Sequence, residues 1–528
     1  MRLFLKMTLA LGLLGLFLLR PTNSFADQPP NIVFMLCDDL GYGDVACLND
    51  QCKIRTPCMD QLAKQGMIFT DAHSGSAVCT PTRYGVLTGR YAWRSKLQNG
   101  VLGGLSPRLI EPDRETVASF LKAHGYATAC IGKWHLGMDW VKLAGKQVNE
   151  LGIESAVQNG SVDFSKPYTN GPNAVGFDYY FGIAASLDMV PYTFLENDRC
   201  TALPTEDASF EMMLGNPKGK TRKGPRAAEF DAMDVLPKLT EKAVEYIHQR
   251  KAANAEKPTP FFLYLPFASP HTPILPTKEW QGKSGLNPYA DFVMQNDACI
   301  GQVLKALDDA ELADNTLVIL TSDNGCSPQA NFPALLAKGH NPSYVFRGHK
   351  ADIFDGGHRV PFIVRWPGHA APGSQTDQLT CLTDLFATAA EIVEAPLPDN
   401  AAEDSYSFVS VLEGKASDQR RPAVVHHSIN GSFSIRKGDW KLCLCPGSGG
   451  WSDPRPGKEP KGAALVQLFN LSSDIGERAN IEQENAPVVE EMVTLLTQYV
   501  DQGRSTPGKK QENTVPVRIW KSGKPGNP

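Results

Sequence analysis

The sequence predicts an α/β protein, a large mixed and mostly parallel sheet flanked by helices, followed by a smaller C-terminal α+β domain. Three observations predict it. Short, continuously apolar, β-rich runs alternate with longer helical patterns over residues 27–380, as strands covered on both faces require. From about residue 380 the strand patterns shorten and become hairpin-like. The length of 528 residues, 42% hydrophobic and 21% charged, exceeds a single domain of ordinary size.

The predicted strands of the first part are NIVFML at 31–36, 127–131, PFFLYLP at 260–266, TLVIL at 316–320, and 360–365. Helices are predicted at 59–64, 114–124, 232–250 and 291–312. In the second of these Val117, Phe120 and Leu121 recur at helical spacing and Gly125 supplies a C-cap. The second part carries strands at 423–427, 432–436, 440–443 and 466–470, then a helix at 487–499. Residues 445–462 are rich in Gly, Pro and Ser and read as a loop. The polar tail 506–528 is expected to be mobile. The domain scheme is therefore a leader at 1–26, a catalytic domain at 27–380, a subdomain at 381–505 and the tail.

The leader has Arg2 and Lys6, then an apolar run over 7–19, then Ser24-Phe25-Ala26. That is the pattern of a secretory signal peptide with cleavage after Ala26. The run is shorter than the roughly 20 residues a membrane span needs, so no stable membrane anchor is expected, and export to the periplasm or medium is. A net charge of -5 lacks the basic excess of a nucleic-acid binder. Mean hydropathy of -0.25 excludes a polytopic membrane protein. Twelve cysteines show no regular disulfide framework.

Open α/β sheets bind ligands beyond the carboxyl ends of their strands. Here four predicted strands run into polar clusters: Asp38-Asp39, Lys133-Trp134-His135, His271, and Asp323-Asn324. Asp38, Asp39, Asp323 and Asn324 are all oxygen donors, which suits calcium or magnesium rather than zinc. Either pair alone reads as a turn or helix N-cap; two pairs at equivalent strand ends favour a metal. Cys79-Thr80-Pro81-Thr82-Arg83 places a cysteine at a predicted helix start, with Pro81 in the first turn and Arg83 one turn on. Lys133 or Lys350 alone would be a solvated lysine, and His135 a packed core histidine.

The CTPTR segment resembles the signature of type I sulfatases, in the alkaline-phosphatase-like superfamily. Five further segments agree in order: DDLGYGD at 38–44, GKWHLG at 132–137, SPHTP at 269–273, SDNG at 322–325 and RGHKADIFDGGHRVP at 347–361. LFNLSSDIGERANI at 468–481 also resembles the family's C-terminal segment. Thr82 stands where serine is commoner, and Asp355 where many relatives carry glutamate. The resemblance implies that Cys79 is converted by a maturation enzyme to formylglycine (3-oxoalanine), hydrated to a diol. It implies that Asp38, Asp39, Asp323 and Asn324 hold calcium, or magnesium. By the same resemblance Arg83 steadies the diol, Lys133 and Lys350 bind sulfate, His271 protonates the leaving alcohol with Lys350, and His135 assists elimination. Ser186 falls near a polar substrate-binding position of the family. His358 and Arg359 read as structural.

The expected function is hydrolysis of a sulfate ester, on a saccharide rather than a small aryl group, with residues 187–199 as a candidate substrate wall. Two alternatives are a phosphonate or phosphate ester hydrolase of the same superfamily, and a non-catalytic, metal-stabilised surface binding protein with an unmodified Cys79.

Overall fold

The computed structural model describes residues 29–415 and 420–521. The segment read as a signal peptide, with its cleavage point, lies outside them. Among the described residues no helix is long and apolar enough to cross a membrane.

The apolar runs form strands because each finds cover on both faces. All eight residues of Asn31–Asp38 are buried, as are all ten of Phe261–Pro270. Burying each large apolar side chain stabilises the fold by roughly 1.5–3 kcal/mol. In the ten-stranded sheet these two strands pair in parallel at the centre, with Thr316–Ser322 on one side and Ala127–Lys133 then Tyr179–Ile183 on the other. The strand predicted at 360–365 forms as Phe362–Arg365 and runs antiparallel to Thr316–Ser322. Helices Pro57–Gln65, Val235–Glu256 and Pro288–Asp309 make one packed group, and Cys79–Thr88, Val117–Ala123 and Leu385–Ile392 make another.

A second, four-stranded antiparallel sheet is a meander of Val424–His427, Phe433–Lys437, Trp440–Cys443 and Gln467–Asn470. Helix Ala486–Gln502 covers it through Met492, Leu496 and Tyr499, and Tyr91 and Trp93 from the large body enter the same apolar cluster.

Two expectations need correction. The change of core comes later than residue 380. Leu385, Phe386, Phe408 and Leu412 pack into the large core, because helix Leu385–Ile392 lies against Cys79–Thr88 and Val117–Ala123. The tail is also packed as far as it is described. Arg90 Nη2 donates to the Glu512 carbonyl at 2.8 Å, and Arg94 Nη1 to Asn513 Oδ1 at 2.9 Å. Val517, Ile519 and Trp520 cover the small apolar cluster. Two buried guanidinium groups need acceptors, and the tail brings them. All twelve cysteines are unpaired thiols.

Candidate active site

The parallel strands end on one edge, and the polar residues that follow them meet there. Asp38 closes Asn31–Asp38, Lys133 closes Ala127–Lys133, His271 follows Phe261–Pro270, and Asp323-Asn324 follow Thr316–Ser322. Cys79 begins the helix Cys79–Thr88, which Gly89 ends in the left-handed conformation at φ 62°. Arg83 is one turn along and fully buried. Its Nε and Nη2 donate to Asp323 Oδ2 at 3.1 and 2.8 Å, and its Nη1 donates to the Lys133 carbonyl at 3.0 Å. The helix Cys79–Thr88 is thereby tied to two strand ends at once.

The acids form a tight set. Lys133 Nζ donates to Asp38 Oδ2 at 2.6 Å. Lys350 Nζ lies 2.6 Å from Asp39 Oδ1 and 2.8 Å from Asp39 Oδ2. Asn324 Nδ2 donates to Asp39 Oδ1 at 2.7 Å, and His271 Nε2 is 3.7 Å from Asp39 Oδ2. Asp39 and His135 sit at φ 67° and 58°, a region costly for a residue with a Cβ; the surrounding bonds hold both there. Burial pushes Asp38 upward, but Lys133, His271, Arg83 and Lys350 outweigh it and hold its carboxyl well below the usual range. Asp323 is pushed up to about 7 by burial and by the Asp38 charge.

The donor set fits a hard cation. Asp38 Oδ1 and Asn324 Oδ1 are buried with no hydrogen-bond partner, and buried acceptors left bare are costly. Asp38, Asp39 and His271 also bring one ligand-capable atom each within 4.8 Å of the others.

Above the acids is a cavity of about 380 Å³ whose wall includes Cys79, Ser186, His271 and Lys350. Burial raises the Cys79 thiol while Lys133 and Lys350 oppose it. The His271 Nδ1–H donates to the Thr272 carbonyl at 2.6 Å, leaving Nε2 as the exchangeable position. Burial and then Lys350 push the His271 pKa down, so a protonated ring there gives up its proton readily. Ser186 is 2% exposed with an unpartnered Oγ. His135 does not line the cavity. Its Nε2 lies 2.8 Å from the Leu102 carbonyl, its Nδ1 has no partner, and burial and Lys133 keep it well below the usual histidine range.

The structure also places residues that the sequence reading left aside. Asp44 accepts from Tyr289 at 2.5 Å, faces His340 Nε2 at 2.7 Å and accepts the Gly41 N–H at 2.9 Å, so it braces the loop after Asp39 instead of facing the cation position. Lys220, Arg222 and Trp451 line the cavity with Asp188 and Met189. Only the last two lie in the wall expected at 187–199. The strand pair Pro204–Ala208 and Gly224–Ala227 is short and largely exposed, and carries no apolar alternation that marks it in the sequence.

Comparison with known proteins finds relatives over most of the chain. The family model described as Sulfatase matches residues 30–395. An N-acetylgalactosamine-6-O-sulfatase of Bacteroides thetaiotaomicron is 33% identical over 510 residues, covering 90% of this chain and 94% of the relative. Human arylsulfatase A is 30% identical over 483 residues, covering 89% and 87%. A solved structure from work on glycosaminoglycan metabolism by Bacteroides thetaiotaomicron superposes with a TM-score of 0.75 at 33% identity, covering 89% of this chain and 99% of that one. The chain belongs to the sulfatase family, as a type I sulfatase of the alkaline-phosphatase-like superfamily and a sulfuric ester hydrolase.

Proposed function

We propose that the protein is an exported saccharide sulfatase that acts through a formylglycine made from Cys79 by a maturation enzyme. The observation that carries the reading is that Cys79, His271 and Lys350 share one cavity wall directly over the buried acids. The sugar preference rests on the similarity to an N-acetylgalactosamine-6-O-sulfatase and on the polar groups of the cavity.

Hydrated formylglycine supplies an oxygen nucleophile for sulfur and a second hydroxyl whose oxidation level allows sulfate to be released. Asp38, Asp39, Asp323 and Asn324 would hold a calcium ion, which when bound would supply Lewis acidity toward the sulfate. The chain's own residues do the rest. Lys133 and Lys350 place two ammonium groups at the sulfate position and neutralise its oxygens. Arg83, locked by Asp323 and the Lys133 carbonyl, fixes the start of the nucleophile helix. Asp323, with its raised pKa, receives the proton of the attacking hydroxyl. His271, beside Lys350, carries the proton for the departing alcohol at Nε2. His135 stands behind the cavity wall, held at the Leu102 carbonyl, and takes no proton in this scheme.

A peptide mass spectrum across Cys79 tests the first step, and turnover of N-acetylgalactosamine 6-sulfate tests the second. We expect the mass deficit of an aldehyde and release of inorganic sulfate. An intact thiol in exported protein, or a clear preference for a phosphonate ester, overturns the reading.

A further inference from the structure

The cavity has a second wall that cleavage of a sulfate ester does not itself require. Its central group is Asp188, 8% exposed. Asp188 Oδ2 accepts from Arg222 Nη1 at 2.5 Å, and the same Nη1 donates to the Asp188 carbonyl at 3.3 Å. The Tyr192 hydroxyl lies 2.5 Å from the Arg222 carbonyl and 3.2 Å from that of Asp188. These contacts fix the two backbones and hold one oxygen of the carboxylate. Its other oxygen, Oδ1, is buried with no partner, and so is Ser186 Oγ two residues earlier. A carboxylate paired with a guanidinium only accepts hydrogen bonds. An acceptor left bare is costly in a closed core, but on a cavity wall its donor arrives with the ligand.

We infer that Asp188 is a specificity determinant that accepts a hydrogen bond from a free hydroxyl of the ring bearing the sulfate ester, with Arg222 as its positioning residue. This rests on the saccharide reading above and narrows it. An aryl or steroid ring offers no donor at that place. A sugar whose hydroxyl there carries a second sulfate sets an anion against Asp188 Oδ1. The preferred substrate class is thus a saccharide sulfate with an unsubstituted hydroxyl close to the reacting ester. Trp451, which also lines the cavity, gives the apolar face of such a ring a surface to lie on.

The test uses full-length protein with Cys79 conversion verified, and Asp188→Ala and Asp188→Asn variants of it. The probes are N-acetylgalactosamine 6-sulfate, its 3- and 4-deoxy analogues, and 4-nitrophenyl sulfate. We expect Asp188→Ala to lower kcat/KM for the sugar on the order of 100-fold, at least about tenfold more than it lowers that for the aryl sulfate. Asp188→Asn, which keeps the shape and one acceptor, is expected to fall about 10-fold on the sugar alone. Wild-type protein should lose a comparable factor on one deoxy analogue, and Asp188→Ala should no longer distinguish that analogue from its parent. Equal loss on sugar and aryl sulfate overturns the inference, as does a wild type indifferent to both missing hydroxyls. A wild type that splits the aryl sulfate but not the sugar overturns the saccharide reading itself, a separate and recognisable result.

Discussion

Segment 71–79 joins two buried polar clusters that are built alike and end differently. At Cys79 the cluster faces a cavity, and the acceptors Asp38 Oδ1 and Asn324 Oδ1 are bare. The second cluster lies at Asp71 and His73. Asp71 faces Arg436 at 2.6 Å and Arg359 at 3.2 Å. Lys441 lies 2.7 Å from both Asp355 and Glu477, and the His358 and His426 rings stack with centroids 3.6 Å apart. Both clusters combine carboxylates, a fully buried lysine and histidines. In the second one each acid faces a cation, and its charges clamp the large body to the small sheet; its outer members Asp71, Arg359 and Arg436 line a separate pocket of about 430 Å³. Density of buried charge therefore does not mark a functional site; what sets the first cluster apart is the cavity walled by Cys79, His271 and Lys350.

Exchanging the two lysines sharpens the contrast. Lys441→Met leaves Glu477 buried without its cation and Asp355 with Arg359 alone, and is expected to cost about 3–5 kcal/mol of unfolding free energy, read by urea denaturation. An unchanged midpoint would mean that this cluster holds nothing together. Lys350→Ala is expected to act the other way round. It should lower kcat/KM for sulfate esters by on the order of 100-fold, about 2.7 kcal/mol of transition-state stabilisation, while shifting stability much less than Lys441→Met. A large stability loss with intact turnover would place Lys350 with the structural lysines.

The smallest effect separates the clusters by pH. Burial, with His73 and Lys441 adding to it, holds His426 well below the usual histidine range. Below about pH 6.5 the unfolded chain takes up a proton there that the folded chain does not, so stability falls as pH falls. One such ring contributes at most about 1.4 kcal/mol per pH unit. Glu477, pushed up to about 7 by burial against Lys441, has the opposite sign, because its folded state binds the extra proton between its unfolded value and that pH. Comparing wild type with His426→Gln cancels the Glu477 contribution. The wild-type advantage should be flat above pH 7 and shrink toward pH 5; a flat difference throughout would show His426 titrating alike in the folded and unfolded chain.

The central strands and the polar residues at their ends were legible because burial on both faces leaves an uninterrupted apolar run, and a strand end is where such a run meets Asp, Lys or His. The Asp188–Arg222 wall was only half legible. Asp188 lies in the stretch 187–199 that the sequence offers as a substrate wall, whereas Arg222 lies in irregular chain just before Gly224–Ala227, with no periodicity to mark it. His73, His358 and His426 come from three distant segments, and no local pattern announces that they meet. The tail looked mobile because Val517, Ile519 and Trp520 are scattered among polar residues; what holds it is the demand of Arg90 and Arg94 for acceptors.

That last contact has a practical side. Glu512 and Asn513 supply acceptors to Arg90 and Arg94, just downstream of the helix Cys79–Thr88, so the neighbourhood of that helix depends on residues far along the chain. Truncation after Gln502, harmless by the look of a Pro- and Lys-rich ending, strips Arg90 and Arg94 of those partners. Shortened versions made for crystallisation or display should keep residues through Trp520 and carry their fusion beyond them.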